Sequence, residues 1–89
     1  MVYPDPLKPS GLEFDLPEEA RVTLTLFDTD GRELATLIKE ELFRPGTHNV
    51  DFVERGYTKG VYLYRLSVDS GEEKFVDTRR IVIGHHGGE

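Results

Sequence analysis

Apolar and polar side chains alternate with a period of two along most of the chain, and turn residues interrupt the alternation at short intervals. This pattern is typical of β-strands that have one face in a core and the other in solvent. It predicts strands over residues 12–16, 21–26, 32–38, 48–52, 61–68 and 73–83. The stretch 32–38 is the least regular, because Leu34, Leu37 and Ile38 would also suit one face of a helical turn.

Short turn sequences separate these strands. Asp28-Thr29-Asp30-Gly31 combines a glycine that tolerates positive φ with aspartates that bond nearby backbone amides. Asp69-Ser70-Gly71-Glu72 is typical of a hairpin turn. Both stretches therefore predict tight connections between antiparallel neighbours.

Six to seven short strands at a spacing of about 8–12 residues predict an all-β fold, an immunoglobulin-like antiparallel β-sandwich. Tyr62 stands where such a sandwich has its tyrosine corner, with the hydroxyl bonded back to the preceding loop. The alternative, a half-buried strand aromatic without that bond, stays open. The side chains expected in the core are Phe14, Leu24, Leu26, Phe52, Tyr62, Tyr64 and Leu66.

The two ends of the chain differ from its middle. Residues 1–10 are rich in proline, which disfavours helix, and predict an extended lead-in. Residues 11–83 form the predicted β-sandwich domain, and residues 84–89 predict a flexible Gly/His tail with nothing to bury.

Length and charge exclude several classes of protein. The chain has 89 residues, a net charge of −6 and no cysteine. Disulfides and thiolate metal sites are therefore excluded, and the acidic balance argues against a nucleic-acid partner. No apolar stretch approaches the roughly 20 residues of a membrane span, and the N-terminus lacks the features of an export signal.

No residues with the pattern of a catalytic site occur. The three serines lie in turn or strand settings, no Gly-x-Ser-x-Gly elbow is present, and His48 falls within an alternating strand. We therefore expect no enzyme and no cofactor. His85 and His86 with Glu89 could ligate a metal through imidazole, but ordering a glycine-rich end would cost about 1–2 kcal/mol per residue. We expect no metal site there.

The candidates for protein contact lie near the two ends of the chain. Arg79 and Arg80 are the main local concentration of positive charge, and basic residues on a terminal strand discourage unwanted edge pairing. Phe27 falls on the polar phase of its strand, which predicts either an exposed aromatic or a cap over the end of the sandwich. With the arm that contains Tyr3 and Pro4, the two arginines are the predicted contact residues.

An ordered set of motifs runs from Tyr3 to Ile83. In chain order they are Tyr3-Pro4-Asp5-Pro6 with Pro9, Phe14-Asp15-Leu16-Pro17, Val22-Thr23-Leu24-Thr25-Leu26-Phe27-Asp28, Gly31-Arg32-Glu33-Leu34-Ala35-Thr36-Leu37, Gly46-Thr47-His48, Val50, Phe52, Gly60-Val61-Tyr62-Leu63-Tyr64-Arg65-Leu66 and Thr78-Arg79-Arg80-Ile81-Val82-Ile83. In this order and spacing, the chain resembles the C-terminal sorting domain of type IX secretion cargo. It is also similar to the related immunoglobulin-like domain of the flagellar hook-capping protein.

The resemblance implies a non-enzymatic, seven-stranded β-sandwich appended to larger secreted proteins. In such cargo the domain is read by the outer-membrane export machinery and is then removed or used for surface attachment. The chain departs from the pattern at Asp5, where the family commonly has asparagine, and at residues 84–89, where the family tends to end on a basic residue.

Two classes of function follow as expectations. The first is a sorting or anchoring module whose protein partner is the export machinery, extracellular or at the cell surface. The alternative is a free-standing assembly or adaptor subunit, cytoplasmic in the absence of a signal peptide, that self-associates into a homo-oligomer or pairs with a neighbour through a strand edge. Carbohydrate binding is a weaker alternative, because the fold alone does not define a function.

Overall fold

The computed structural model describes residues 11–52 and 55–83, and the backbone of residues 5–7. These residues form seven β-strands and no helix, which confirms the all-β prediction. The strands are β1 (Asp5–Leu7), β2 (Gly11–Leu16), β3 (Ala20–Phe27), β4 (Glu33–Phe43), β5 (Gly46–Asp51), β6 (Gly60–Asp69) and β7 (Lys74–Ile83). In this part of the chain, nothing resembles a membrane-crossing helix.

The strands form two antiparallel sheets, one of three strands in the order β1-β2-β5 and one of four in the order β4-β3-β6-β7. Alternate side chains of both sheets enter one shared hydrophobic cluster. The largest fully buried members are Tyr64, Phe14, Phe52, Leu12, Leu24, Leu26, Leu66, Ile83 and Val22. The architecture is therefore that of a two-layer β-sandwich.

A close approach of β2 to β5 depends on glycine at the first position of β2. A Cβ atom added to Gly11 would lie 1.9 Å from the carbonyl oxygen of Val50, on the paired strand. No side chain fits in that space, so the absence of a Cβ atom lets the two backbones meet at this point.

The residues expected in the extended lead-in contribute a strand. Residues 5–7 form β1 and pair with residues 11–13 at one edge of the three-stranded sheet. A strand of three residues contains too little sequence for a period of two to be recognised. The remainder of the predicted lead-in and the predicted tail lie outside the described residues.

The irregular stretch that begins near residue 32 is a strand, and the helical alternative is wrong. β4 also continues to Phe43, five residues beyond the predicted end. Its pairing with β3 shifts register several times, and Glu40 adopts a positive φ of 47°. The Glu40 amide donates a hydrogen bond to Thr23 Oγ1 at 3.0 Å. These irregularities displace the apolar positions of β4 and hide the alternation from sequence inspection.

Both predicted turns are confirmed. Asp28 Oδ1 accepts hydrogen bonds of 2.9 Å from the amides of Asp30 and Arg32, in the connection from β3 to β4. In the hairpin between β6 and β7, Asp69 Oδ1 accepts a 2.9 Å bond from the amide of Gly71. The short polar side chains thus replace backbone partners in both turns.

Tyr62 is the one predicted core residue that is not fully buried. Its ring packs against the core cluster, while its hydroxyl donates a 2.7 Å hydrogen bond to the carbonyl oxygen of Thr58. The prediction of a core residue is wrong in this respect, because the phenolic hydroxyl retains a polar partner near the surface. The bond itself has the local form expected of a tyrosine corner. The other predicted core residues are buried, namely Phe14, Leu24, Leu26, Phe52, Tyr64 and Leu66.

Candidate protein-interaction surface

An apolar cluster lies on the outer face of the four-stranded sheet, the side turned away from the core. Cross-strand pairing puts Phe27 opposite Leu63 and Val61 opposite Val82. Val61 is 42% exposed and Val82 is 65% exposed, while Phe27 and Leu63 are half-buried. The solvent face of an antiparallel sheet is commonly polar, so these side chains form an unusual surface. We call it the outer patch.

Two arginines border the outer patch. Arg65 lies with its Cζ atom 5.0 Å from the centre of the Phe27 ring, within the range of a cation–π interaction. Arg80 is paired with Leu63 across β6 and β7. The patch therefore combines exposed apolar side chains, which a partner could bury, with arginine side chains. Aromatic residues and arginine are enriched in protein interfaces.

The two predicted contact arginines lie on different faces of β7. Neighbouring residues of a strand point to opposite sides, so Arg80 borders the outer patch while Arg79 belongs to the core-facing side. Arg79 lies at the sheet edge and forms an ion pair with Asp77. The structure brings Arg80 and Phe27 to the same surface and separates Arg79 from them. Tyr3 and Pro4, the other predicted contact residues, lie outside the described residues.

The two outer faces of the sandwich differ in charge. On the three-stranded sheet, the outward charges of β2 and β5 are acidic, and the described residues of these strands include no lysine or arginine. The acidic residues are Glu13, Asp15 and Asp51. On β3, β6 and β7, the outward charges are Arg21, Arg65, Lys74, Arg80 and Asp69. The neighbouring β4 adds Glu33, opposite Phe27, and Glu40, beside Arg21, so this face has charges of both signs.

His48 has a structural environment. Its ring lies 4.8 Å from that of Phe43 and 5.6 Å from that of Phe14, measured between centroids. Its Nε2 atom is 2.7 Å from the carbonyl oxygen of Arg44. These contacts agree with the prediction of an ordinary, partly buried strand residue.

A cleft of about 380 Å³ opens at the end of the sandwich where β2 leads into β3. Its apolar wall includes Leu16, Val68 and Phe75, and its charged side chains, among them Glu73 and Lys74, are exposed. Small-molecule sites combine apolar walls with converging polar groups, and here the charged groups lie at the rim. We interpret the cleft as the open end of the two-layer fold.

Metal binding finds no support in the part of the chain that the structure describes. No group of three or more His, Cys, Asp or Glu side chains is placed there to hold a metal ion. His85 and His86 are outside that part of the chain.

The outer patch could be predicted from the sequence only in part. Phe27 is out of phase with its strand, and Val61 and Leu63 make β6 apolar on both faces at its N-terminal end only. Val82 joins them only through the register between β6 and β7. Sequence inspection missed Val61, Leu63, Val82 and Arg65 as contact residues for this reason.

Comparison with known proteins gives no relative. The chain matches no family model, and no curated protein or solved structure shows significant similarity to it.

Proposed function

We propose that this chain is a non-catalytic recognition module with an immunoglobulin-like β-sandwich, and that it sorts or anchors a secreted protein. The ordered motifs from Tyr3 to Ile83 support the sorting function through their resemblance to type IX sorting domains. The two antiparallel sheets and the hydrogen bond from Tyr62 to Thr58 support the immunoglobulin-like fold.

The outer patch is the observation that carries the proposal. Burying apolar area contributes about 25 cal/mol per Å² removed from water, and Val61 and Val82 present such area on the outer face of the sheet. Arg65 and Arg80 add directional hydrogen bonds to carboxylates. The partner surface therefore combines apolar side chains with acidic groups, and on this proposal it belongs to the export or attachment machinery.

Export of a reporter tests the sorting function. Residues 3–83 are fused to the C-terminus of a secreted reporter in a host with type IX secretion, and the reporter is measured in the periplasm and outside the cell. We expect the fusion to move the reporter to the medium or the cell surface. Complete periplasmic retention, with the fusion folded, would overturn the sorting function.

A matched pair of variants tests the outer patch within the same assay. Val82→Asp introduces a carboxylate at an exposed strand position of the patch, and Asn49→Asp introduces the same group at an exposed position of the opposite face. We expect export to fall by about tenfold for Val82→Asp, since a charge at an interface core weakens binding, and to persist for Asn49→Asp. Equal export of both variants would exclude the outer patch.

A second candidate function, a structural assembly or adaptor subunit, is favoured by the edge of β7. This strand pairs with β6 over ten consecutive residues without a register shift. A long regular edge is a template for pairing with another chain. The mass of the protein from micromolar to millimolar concentration tests self-association.

A further inference from the structure

The outer edge of β7 is the more regular of the two edges of the four-stranded sheet. In an antiparallel pair, only every second residue of a strand forms backbone hydrogen bonds to its neighbour. The N–H and C=O groups of the other residues of β7 therefore point away from β6. Among the described residues, no strand lies on that side. At the opposite edge of the same sheet, the register shifts of β4 and the positive φ of Glu40 disturb the ladder. β7 is therefore the edge suited to strand addition.

The sequence of β7 is complementary to itself when two copies run antiparallel with Thr78 opposite Thr78. Asp77 then lies opposite Arg79 of the second copy, and Arg79 opposite Asp77 of the second copy. On the same face, Phe75 meets Ile81. The remaining pairs, on the outer face, join Val76 with Arg80 and Lys74 with Val82. Opposite charges and apolar pairs across strands both stabilise a sheet.

Neighbouring registers lack this complementarity. Moving the centre by one residue toward the C-terminus places Arg79 opposite Arg79, and moving it by one residue toward the N-terminus places Asp77 opposite Asp77. Like charges directly opposite each other destabilise a strand pair. A register with Val76 opposite Val76 avoids like charges directly opposite each other, but it leaves only about half of β7 to pair. Charge complementarity and overlap thus select one register.

We propose that a second copy of this chain pairs with β7 along its outer edge, antiparallel and with the two-fold axis at Thr78. The two four-stranded sheets then form one continuous sheet of eight strands. Asp77 and Arg79 form an ion pair within one chain. In the dimer, each Asp77 also lies opposite Arg79 of the second copy, which adds two ion pairs across the axis. This inference deepens the assembly function and does not rest on the sorting function, so export of a fused reporter and dimer formation can fail separately.

Single cysteines test the register, because the chain has no cysteine of its own. In the proposed dimer, the two Thr78 residues lie directly opposite, with Cα atoms about 4.5–5.5 Å apart, within disulfide range. The two Val76 residues are offset by four positions, about 13 Å. We expect Thr78→Cys to form a disulfide-linked dimer under mild oxidation and Val76→Cys to remain uncrosslinked. A mixture of Val76→Cys and Arg80→Cys should give the mixed dimer.

Charge exchange supplies the second test, with sedimentation equilibrium as the measurement. Asp77→Arg and Arg79→Asp each place like charges across the axis, and we expect each to weaken self-association by about tenfold. Mixing the two variants restores opposite charges at both positions, so a mixed dimer should form at wild-type concentrations. If the variants weakened self-association only because the ion pair within each chain is lost, mixing them would not restore the dimer.

Two results would overturn the proposal. One is a wild-type mass that stays at 10.1 kDa up to millimolar concentration. The other is crosslinking of Val76→Cys to itself in preference to Thr78→Cys, which would place the axis elsewhere. A circular dichroism spectrum of each variant confirms that it retains the β-sheet fold.

Discussion

Removal of the Tyr62 hydroxyl isolates the energy of one hydrogen bond at the base of β6. In Tyr62→Phe the ring remains against the core, and only the 2.7 Å bond to the Thr58 carbonyl oxygen is lost. A hydrogen bond of this kind contributes about 1 kcal/mol to stability, with a range of about 0.5–1.5. Thr58 is exposed, so water can satisfy its carbonyl group and no larger desolvation penalty applies.

Removal of the whole ring should cost more. Replacing a fully buried aromatic residue by alanine lowers the free energy of unfolding by about 3–5 kcal/mol. Because the ring of Tyr62 is half-buried, we expect about half of that loss. With the hydrogen bond, Tyr62→Ala should lose about 3 kcal/mol of stability. The hydroxyl alone therefore accounts for about one third of the effect of the side chain.

Urea denaturation of the wild type, Tyr62→Phe and Tyr62→Ala measures both steps. Tyr57→Phe is the matched control, because Tyr57 is also half-buried and packs edge-on against Tyr62 with centroids 6.3 Å apart. A loss of 1 kcal/mol corresponds to about 4–8 °C in Tm for a domain of this size. If Tyr62→Phe is no less stable than Tyr57→Phe, the bond to Thr58 does not stabilise the fold, and the support that it gives to an immunoglobulin-like corner is lost.

Two further predictions concern the backbone. Gly11→Ala should destabilise the protein by about 3 kcal/mol, as expected for severe overpacking, since the added Cβ atom would meet the Val50 carbonyl oxygen at 1.9 Å; an unchanged urea midpoint would contradict that close approach. Glu40→Gly should stabilise the protein by about 0.5–1 kcal/mol, because glycine accepts a φ of 47° without the cost borne by other residues. Glu41→Gly in the same strand should destabilise the protein by about the same amount. If both variants change the free energy of unfolding equally, the backbone of Glu40 is not strained.

The strands with an undisturbed alternation could be predicted from the sequence. In β2, for example, Leu12, Phe14 and Leu16 point inward in an unbroken series. β4 could not be delimited, because its irregular pairing around Glu40 changes which side chains face the core. Periodicity describes a single strand, whereas a bulge is a property of a pair of strands.

The candidate surface shows the same limit. The outward position of Phe27 could be predicted because it departs from the apolar phase of its own strand, although its ring is half-buried. Its association with Leu63 and Val82 depends on two registers, and no pattern within one strand reveals them. Alternation alone does separate Arg79 from Arg80, since adjacent strand residues face opposite sides. A contact surface confined to one face of β7 can therefore include only one of the two arginines.

The outer face of β2 and β5 presents Glu13, Asp15 and Asp51 and no basic residue, so it is the more negative side of the described part of the molecule. With a net charge of −6, the protein should bind an anion-exchange matrix at neutral pH and low ionic strength. Salt should release it as screening shortens the range of the interaction. Adsorption through this acidic sheet would leave the outer patch, on the opposite sheet, turned toward the solvent.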